Sequence, residues 1–226
     1  AVGATVFVDA VHYAPHGLID VEAWGCDFLA CSAYKFFGPH VGVLWGRREW
    51  MATLDAYRVR PAGNATPDRW MTGTQNHEGI AGALEAVEYL ADLGRESAQD
   101  ESLARRDALK AAFTAIEHYE SELCQRMITG LRALSGVRVL GITDPERSGQ
   151  RCPTISIVHD TLSPMTIAKH LGADGIFVWE GHFYAVELSE TLGLEPDGMV
   201  RIGILHYNTA AEVDRLVDSL QRLISG

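Results

Sequence analysis

The chain has 226 residues, 47% of them hydrophobic, which is enough for a core in one large domain or two small ones. A formal net charge of -11, with no basic block or stripe, argues against nucleic acid or an anionic membrane as a partner. Four cysteines (Cys26, Cys31, Cys124, Cys152) without C-x-x-C spacing read as reduced, buried thiols of a cytoplasmic protein, and no apolar run reaches the length of a membrane span.

Three apolar, β-prone runs open the chain, at residues 5–8, 27–32 and 41–44. Short runs of this kind, bounded by Gly and Pro, suit strands covered on both faces, whose ends collect along the sheet rim where α/β proteins place ligands. The loops between them carry Asp9, His12, Ser32, Tyr34 and Lys35. Desolvation of an ammonium beside a buried strand favours the free amine, a nucleophile toward carbonyls. A lone Lys there is ordinarily a solvated residue and a lone Asp a turn or cap. Together, with Ser32 and Tyr34 beside Lys35 and Gly38-Pro39 closing the turn, they point to a site. His12 and His16 have the spacing of a helical metal pair, but Pro15 between them and Gly17 after them argue against a helix, so His16 and Asp20 are read as organising the loop. Phe36 and Phe37 read as packing residues.

Residues 47–69 are irregular, with Pro61, Gly63 and Pro67. The segment TGTQNHEG, residues 72–79, leads into a helix with Ile80, Leu84, Val87 and Leu90 on one face, Thr74 as its N-cap and Gly94 as its stop. Such a helix start is either an anion site or a plain cap. A long helix is expected over 101–134, with Leu109, Phe113, Ile116, Leu123, Met127, Leu131 and Leu134 as its packing stripe. Strands follow at 137–142 and 154–159, then a helix capped by Ser163-Pro164 and ending at Gly172. Further strands are expected at 175–179 and 199–206. The last helix has a capping box, Thr209 with Glu212. Helices flanking an antiparallel sheet make an α+β domain. Arg201, inside the apolar run VRIGILHYNT, needs a partner, which is either an internal carboxylate or a bound one.

The segment DAVHYAPHGLIDVEAWGCDFLACSAYKFFGPHVGVLWGR resembles the cofactor-lysine region of fold-type I pyridoxal-phosphate (PLP) enzymes, in the class V aminotransferase branch that includes cysteine desulfurases. The TGTQ and VRIGILHYNT segments extend the resemblance over essentially the whole chain. It implies an α/β fold: part of the PLP-dependent transferase large domain, with a mostly parallel sheet, over residues 1–98, then a small α+β domain over 99–226. It also implies that close to the N-terminal half of a full-length enzyme is absent. In relatives the residue matching Lys35 forms the Schiff base and serves as acid/base, and that matching Asp9 pairs with the pyridinium nitrogen. The resemblance further implies His12 on the phenolic oxygen, and Ser32 and Tyr34 on the phosphate together with Gly73 and Thr74 from the other subunit of a homodimer. Arg201 would hold the α-carboxylate of an amino-acid substrate, and no metal is implied.

Four departures stand out. Tyr34 replaces a common histidine, Met71 replaces a common acid, and Trp179-Glu180 replace an arginine. Tyr184, in Gly181-His182-Phe183-Tyr184-Ala185, stands where one group of desulfurases carries the sulfur-accepting cysteine, and a phenol cannot take a persulfide. The expected function is a PLP-dependent enzyme acting on an amino acid, with substrate and reaction open. The alternative is a non-catalytic fragment or PLP-binding relic completed by a partner segment or dimer.

Overall fold

In the computed structural model, which describes residues 2–226, the N-terminal apolar runs form β1 (Phe7–Asp9), β2 (Phe28–Ser32) and β3 (Gly42–Gly46), in the order β1-β2-β3. β1 and β2 are parallel, with Asp9 opposite Ala30; β2 and β3 are antiparallel, with Ser32 opposite Gly42. The sheet expected to be mostly parallel is therefore mixed within this chain. The link from β1 to β2 holds the short helix α1 (Val21–Trp24) and is long enough for a crossover, whereas the link from β2 to β3 is little more than a 3-10 turn and must return antiparallel. The strands are also less covered than expected: Leu29 is buried, but Phe7 and Leu44 are 59% and 55% exposed. Small clusters of described residues lie on this sheet, Ala10 with Cys26 and Leu29, and Ala14, Ala33 and Phe36 with Ala86.

The stretch expected to be irregular contains α2 (Arg48–Thr53), whose last carbonyls are met by distant donors. The Arg69 guanidinium donates to the Ala52 and Leu54 carbonyls, both at 2.9 Å, and Trp70 Nε1 donates to the Met51 carbonyl. Helix α3 (His77–Ala98) is capped by Asn76, not Thr74: the Asn76 side chain accepts from the Gly79 N–H at 2.9 Å. Its buried face is Ala86, Leu90, Ala91 and Gly94, while Ile80 and Leu84 are exposed. Gly94 lies inside the helix because α3 and α4 (Arg105–Ala133) approach closely there. A Cβ on Gly94 would collide with the Ala108 carbonyl, and Ala91, Ala108 and Ala112 are wholly buried. The helix ends instead at Gln99, with φ 54°.

The chain divides into two compact units, the first reaching Ala115 and the second Ile116–Gly226. This division falls inside α4, whereas the sequence placed it after residue 98. The first turns of α4 belong with the N-terminal unit because Ala108 packs on Gly94, and Arg106 pairs with Asp20 at 3.2 Å and donates to the Ile19 carbonyl.

The second unit is α+β. Its antiparallel sheet has the order β4-β5-β7-β6, made of β4 (Val137–Leu140), β5 (Thr154–His159), β6 (Trp179–Gly181) and β7 (Met199–Gly203). The rest of α4, with α5 (Pro164–Ala173), α6 (Val186–Thr191) and α7 (Ala210–Ser225), completes it. Ile155 and Ile157 of β5 and Val200 and Ile202 of β7 enter the core with Ile128, Leu131, Leu171 and Leu220, so the alternate residues Ser156 and Arg201 take the other face. Ser163 caps α5, and the capping box of α7 is formed, Thr209 N–H donating to the Glu212 carboxylate at 2.7 Å. The strand expected over 175–179 begins only at Trp179, since Ile176 and Val178 pack on the core without ladder partners.

Candidate active site

Lys35 lies in the 3-10 turn Ala33–Phe36, directly after β2. Ala33 and Phe36 are buried and anchor the turn, Phe37 closes it at φ 73°, and Gly38 N–H donates to the Ala33 carbonyl at 2.8 Å. Phe37 packs edge-on against Tyr89 at 5.7 Å. Lys35 is half-buried, its amine 5.2 Å from the centre of the Tyr34 ring, which stacks on His40 at 5.0 Å. The amine is thus less dry than the sequence suggests, because one side of it rests on an exposed tyrosine.

Asp9 ends β1, and Val11 N–H donates to its Oδ1 at 2.9 Å, fixing the carboxylate at the strand end. Ala10 N–H donates to the Ala30 carbonyl at 2.8 Å, so the parallel register persists past Asp9. Asp9 and Ser32 therefore end neighbouring parallel strands, and Lys35 follows Ser32 within one turn: the structure brings these three to the carboxyl end of one strand pair. His12 is in the turn after β1, its ring 5.3 Å from that of the buried His16. Asp20 accepts from Ala23 N–H at 3.0 Å as the cap of α1, which holds its carboxyl below the usual carboxylate range with help from Arg106.

Gly73 (φ 80°) and Thr74 lie in the exposed loop before α3, tied by the Gln75 side-chain amide, which donates to the Met71 and Gly73 carbonyls at 3.2 Å each. The first turns of α3 sit on the segment that closes the lysine turn, with a Gly82 Cβ only 3.1 Å from Pro39 Cγ.

In the second unit, Arg201 on β7 is flanked in the ladder by Ser156 and Trp179. Its guanidinium lies 4.5 Å from the centre of the Phe183 ring, and among the described residues it makes no ion pair with a carboxylate. Of the two partners the sequence leaves open, the internal salt bridge is not formed. Phe183 is the contact that sequence reasoning missed; an aromatic pair after Gly181 was visible, but the backbone turn that aims it was not. Cys26 is fully buried, and burial pushes the Cys31, Cys124 and Cys152 thiols up from their ordinary value. Among the described residues no helix is long and apolar enough to cross a membrane, and no His/Cys/Asp/Glu group could hold a metal ion.

The aminotransferase class-V family model matches residues 1–120 and 107–216. The chain is 29% identical over 226 residues to the aminotransferase-like protein FGM3 of Gibberella zeae, covering 98% of this chain and 52% of the relative. It is 29% identical over 239 residues to probable cysteine desulfurase 2 of Mycobacterium leprae, covering 99% and 51%. The apo structure of cysteine desulfurase from Thermococcus onnurineus NA1 matches with a TM-score of 0.82 at 26% identity, over 99% of this chain and 53% of that one. The chain spans about half the length of the curated relatives it matches. The likenesses of sequence and of fold converge on one family, and the chain belongs to the aminotransferase class-V family.

Proposed function

We propose that this chain is the lysine-bearing part and small domain of a cytoplasmic PLP-dependent enzyme of the class-V aminotransferase, cysteine desulfurase-like group, acting on an amino acid. The observation that carries the reading is the placement of an amine and a carboxylate at the carboxyl end of one parallel strand pair, Lys35 after β2 and Asp9 ending β1. The donor set fits the cofactor: a primary amine for its aldehyde, a carboxylate fixed by Val11 N–H for its ring nitrogen, and a hydroxyl on Ser32 for its phosphate.

When bound, PLP supplies an electron sink for charge developing at the amino acid's α-carbon. In this reading Lys35 would hold the cofactor through its aldehyde and would be the residue that moves a proton at the amino acid's α-carbon. Asp9 keeps a proton on the ring nitrogen. His12 bonds the phenolic oxygen, Ser32 and Tyr34 bind the phosphate with Gly73 and Thr74 presented across a homodimer, and Arg201 orients the substrate carboxylate. The absence of an internal carboxylate partner supports the role of Arg201. Burial keeps Cys31, Cys124 and Cys152 protonated, and Tyr184 carries no thiol, so a thiolate route to a persulfide has no support in these side chains.

Titrating PLP into the chain and into Lys35→Ala tests the reading. A visible absorbance band is expected in the parent and not in the variant; equal bands contradict it. Half-reactions with a panel of amino acids, assayed for alanine and for sulfide, then separate transamination from desulfuration. A second reading, a non-catalytic piece completed by a partner segment or dimer, draws on the apolar surface at Ile80 and Leu84, 45% and 46% exposed. It predicts no band from the chain alone.

A further inference from the structure

The loop after β6 holds its backbone where side-chain-bearing residues seldom go. Phe183 and Tyr184 are adjacent and both left-handed, at φ 54° and 65°. Local contacts impose this. Gly181 pairs with Met199 in the ladder and lies so close to Gly198 that a Cβ on Gly198 would collide with the Gly181 carbonyl group. Tyr184 N–H donates to His182 Nδ1 at 3.1 Å, and Ala185 N–H donates to the His182 carbonyl at 2.8 Å. The result parts the two aromatics: Tyr184 is 99% exposed, while Phe183 is half-buried with its ring against the Arg201 guanidinium.

We propose that Phe183 is a positioning residue for Arg201, holding the guanidinium by one flat face so that its in-plane N–H groups remain for a small carboxylate ligand. This rests on the carboxylate-binding role of Arg201 proposed above. A guanidinium offers five N–H donors, all in its own plane, and a ring stacked on the face takes none of them. The two ladder neighbours, Ser156 and Trp179, are uncharged. The cation is therefore steadied by a π face instead of a counter-ion, and its charge stays available to an incoming anion. Stacking also restricts a long, flexible side chain before any ligand arrives, which lowers the ordering penalty of binding.

The test uses the whole chain labelled with ¹⁵N. The Arg201 Nε–Hε resonance is identified by its loss in Arg201→Lys and is expected upfield, shifted by the ring current of Phe183. L-alanine is the probe, titrated against that resonance. In Phe183→Leu the resonance is expected to return to the ordinary arginine region and the dissociation constant for L-alanine to rise about 3- to 10-fold. Phe183→Tyr should retain both parent values. Phe183→Met, which keeps volume without a ring, replaces the leucine variant if that one fails to fold. An unchanged resonance and affinity in the ringless variant, with L-alanine still moving the Arg201 signal, overturns the positioning role and leaves the clamp intact. A parent Arg201 signal indifferent to L-alanine overturns the clamp and the positioning role together.

Discussion

A charged side chain on an apolar strand is informative only once its partner is known. Arg201 could be read from sequence as needing an anion, but not which one; the structure leaves Ser156, Trp179 and the Phe183 ring around it. Hydrogen bonds to a charged group contribute about 1.5–3 kcal/mol, so Arg201→Ala is expected to weaken amino-acid binding by about 10- to 100-fold while leaving PLP attachment unchanged. Half-reaction titrations alongside PLP titrations check this, and equal loss of both would point to a structural role. Asp9 and Lys35 stand out as candidates in the sequence because Asp9 directly follows one apolar run and Lys35 follows the next within a turn. Phe183 was not, because a positive φ leaves no mark in composition. Asp174 offers a separate check. The Ser219 hydroxyl and the Arg222 guanidinium donate to its Oδ2 at 2.6 and 2.7 Å, holding its carboxyl below its ordinary value of 3.8. A depressed carboxyl stabilises the fold above that value and ceases to do so as pH falls through the folded one. The difference in thermal midpoint between the chain and Asp174→Asn is therefore expected to hold above the ordinary carboxyl range and to shrink as the pH falls below 3.8, and to be modest throughout because the pair is solvent-exposed.

Helices and strands with strong periodicity or caps were foreseen nearly as they stand. β5 runs over Thr154–His159, and α5 and α7 start from Ser163 and Thr209, since these caps are local and declare themselves in sequence. Elements set by distant contacts were not. α2 depends on Arg69 and Trp70, and the start of α3 passed from Thr74 to Asn76. Gly94 shows the limit most clearly: a glycine in a helical pattern signals either a stop or a close approach, and only the neighbour decides. Gly94→Ala gains about 1 kcal/mol of helix propensity, but the added methyl meets the Ala108 backbone, which cannot rotate away. Overpacking costs about 1–3 kcal/mol, so the variant is expected to lose up to about 2 kcal/mol in chemical denaturation. A gain would contradict the seam. Thr209→Ala breaks the capping box of α7 and is expected to lose about 1 kcal/mol in the same assay.

At the scale of the molecule, composition and the α+β pattern of residues beyond 116 were readable because that unit closes its own core. The first unit was harder to read, because its strands were expected to be covered on both faces and its sheet to be mostly parallel, while this chain supplies three strands and small clusters on them. Phe7 and Leu44 of these strands remain exposed. The chain has three lysines, Lys35, Lys110 and Lys169, which makes the central claim unusually easy to test. Lys110 is an exposed helical residue paired with Asp107 at 2.9 Å, and Lys169 lies on the exposed side of α5, so both serve as internal controls. The chain is incubated with PLP, reduced with borohydride and mapped by peptide mass spectrometry. The account predicts a pyridoxyl group on Lys35 and none on the other two; no label on Lys35, or equal labelling of all three, would contradict it.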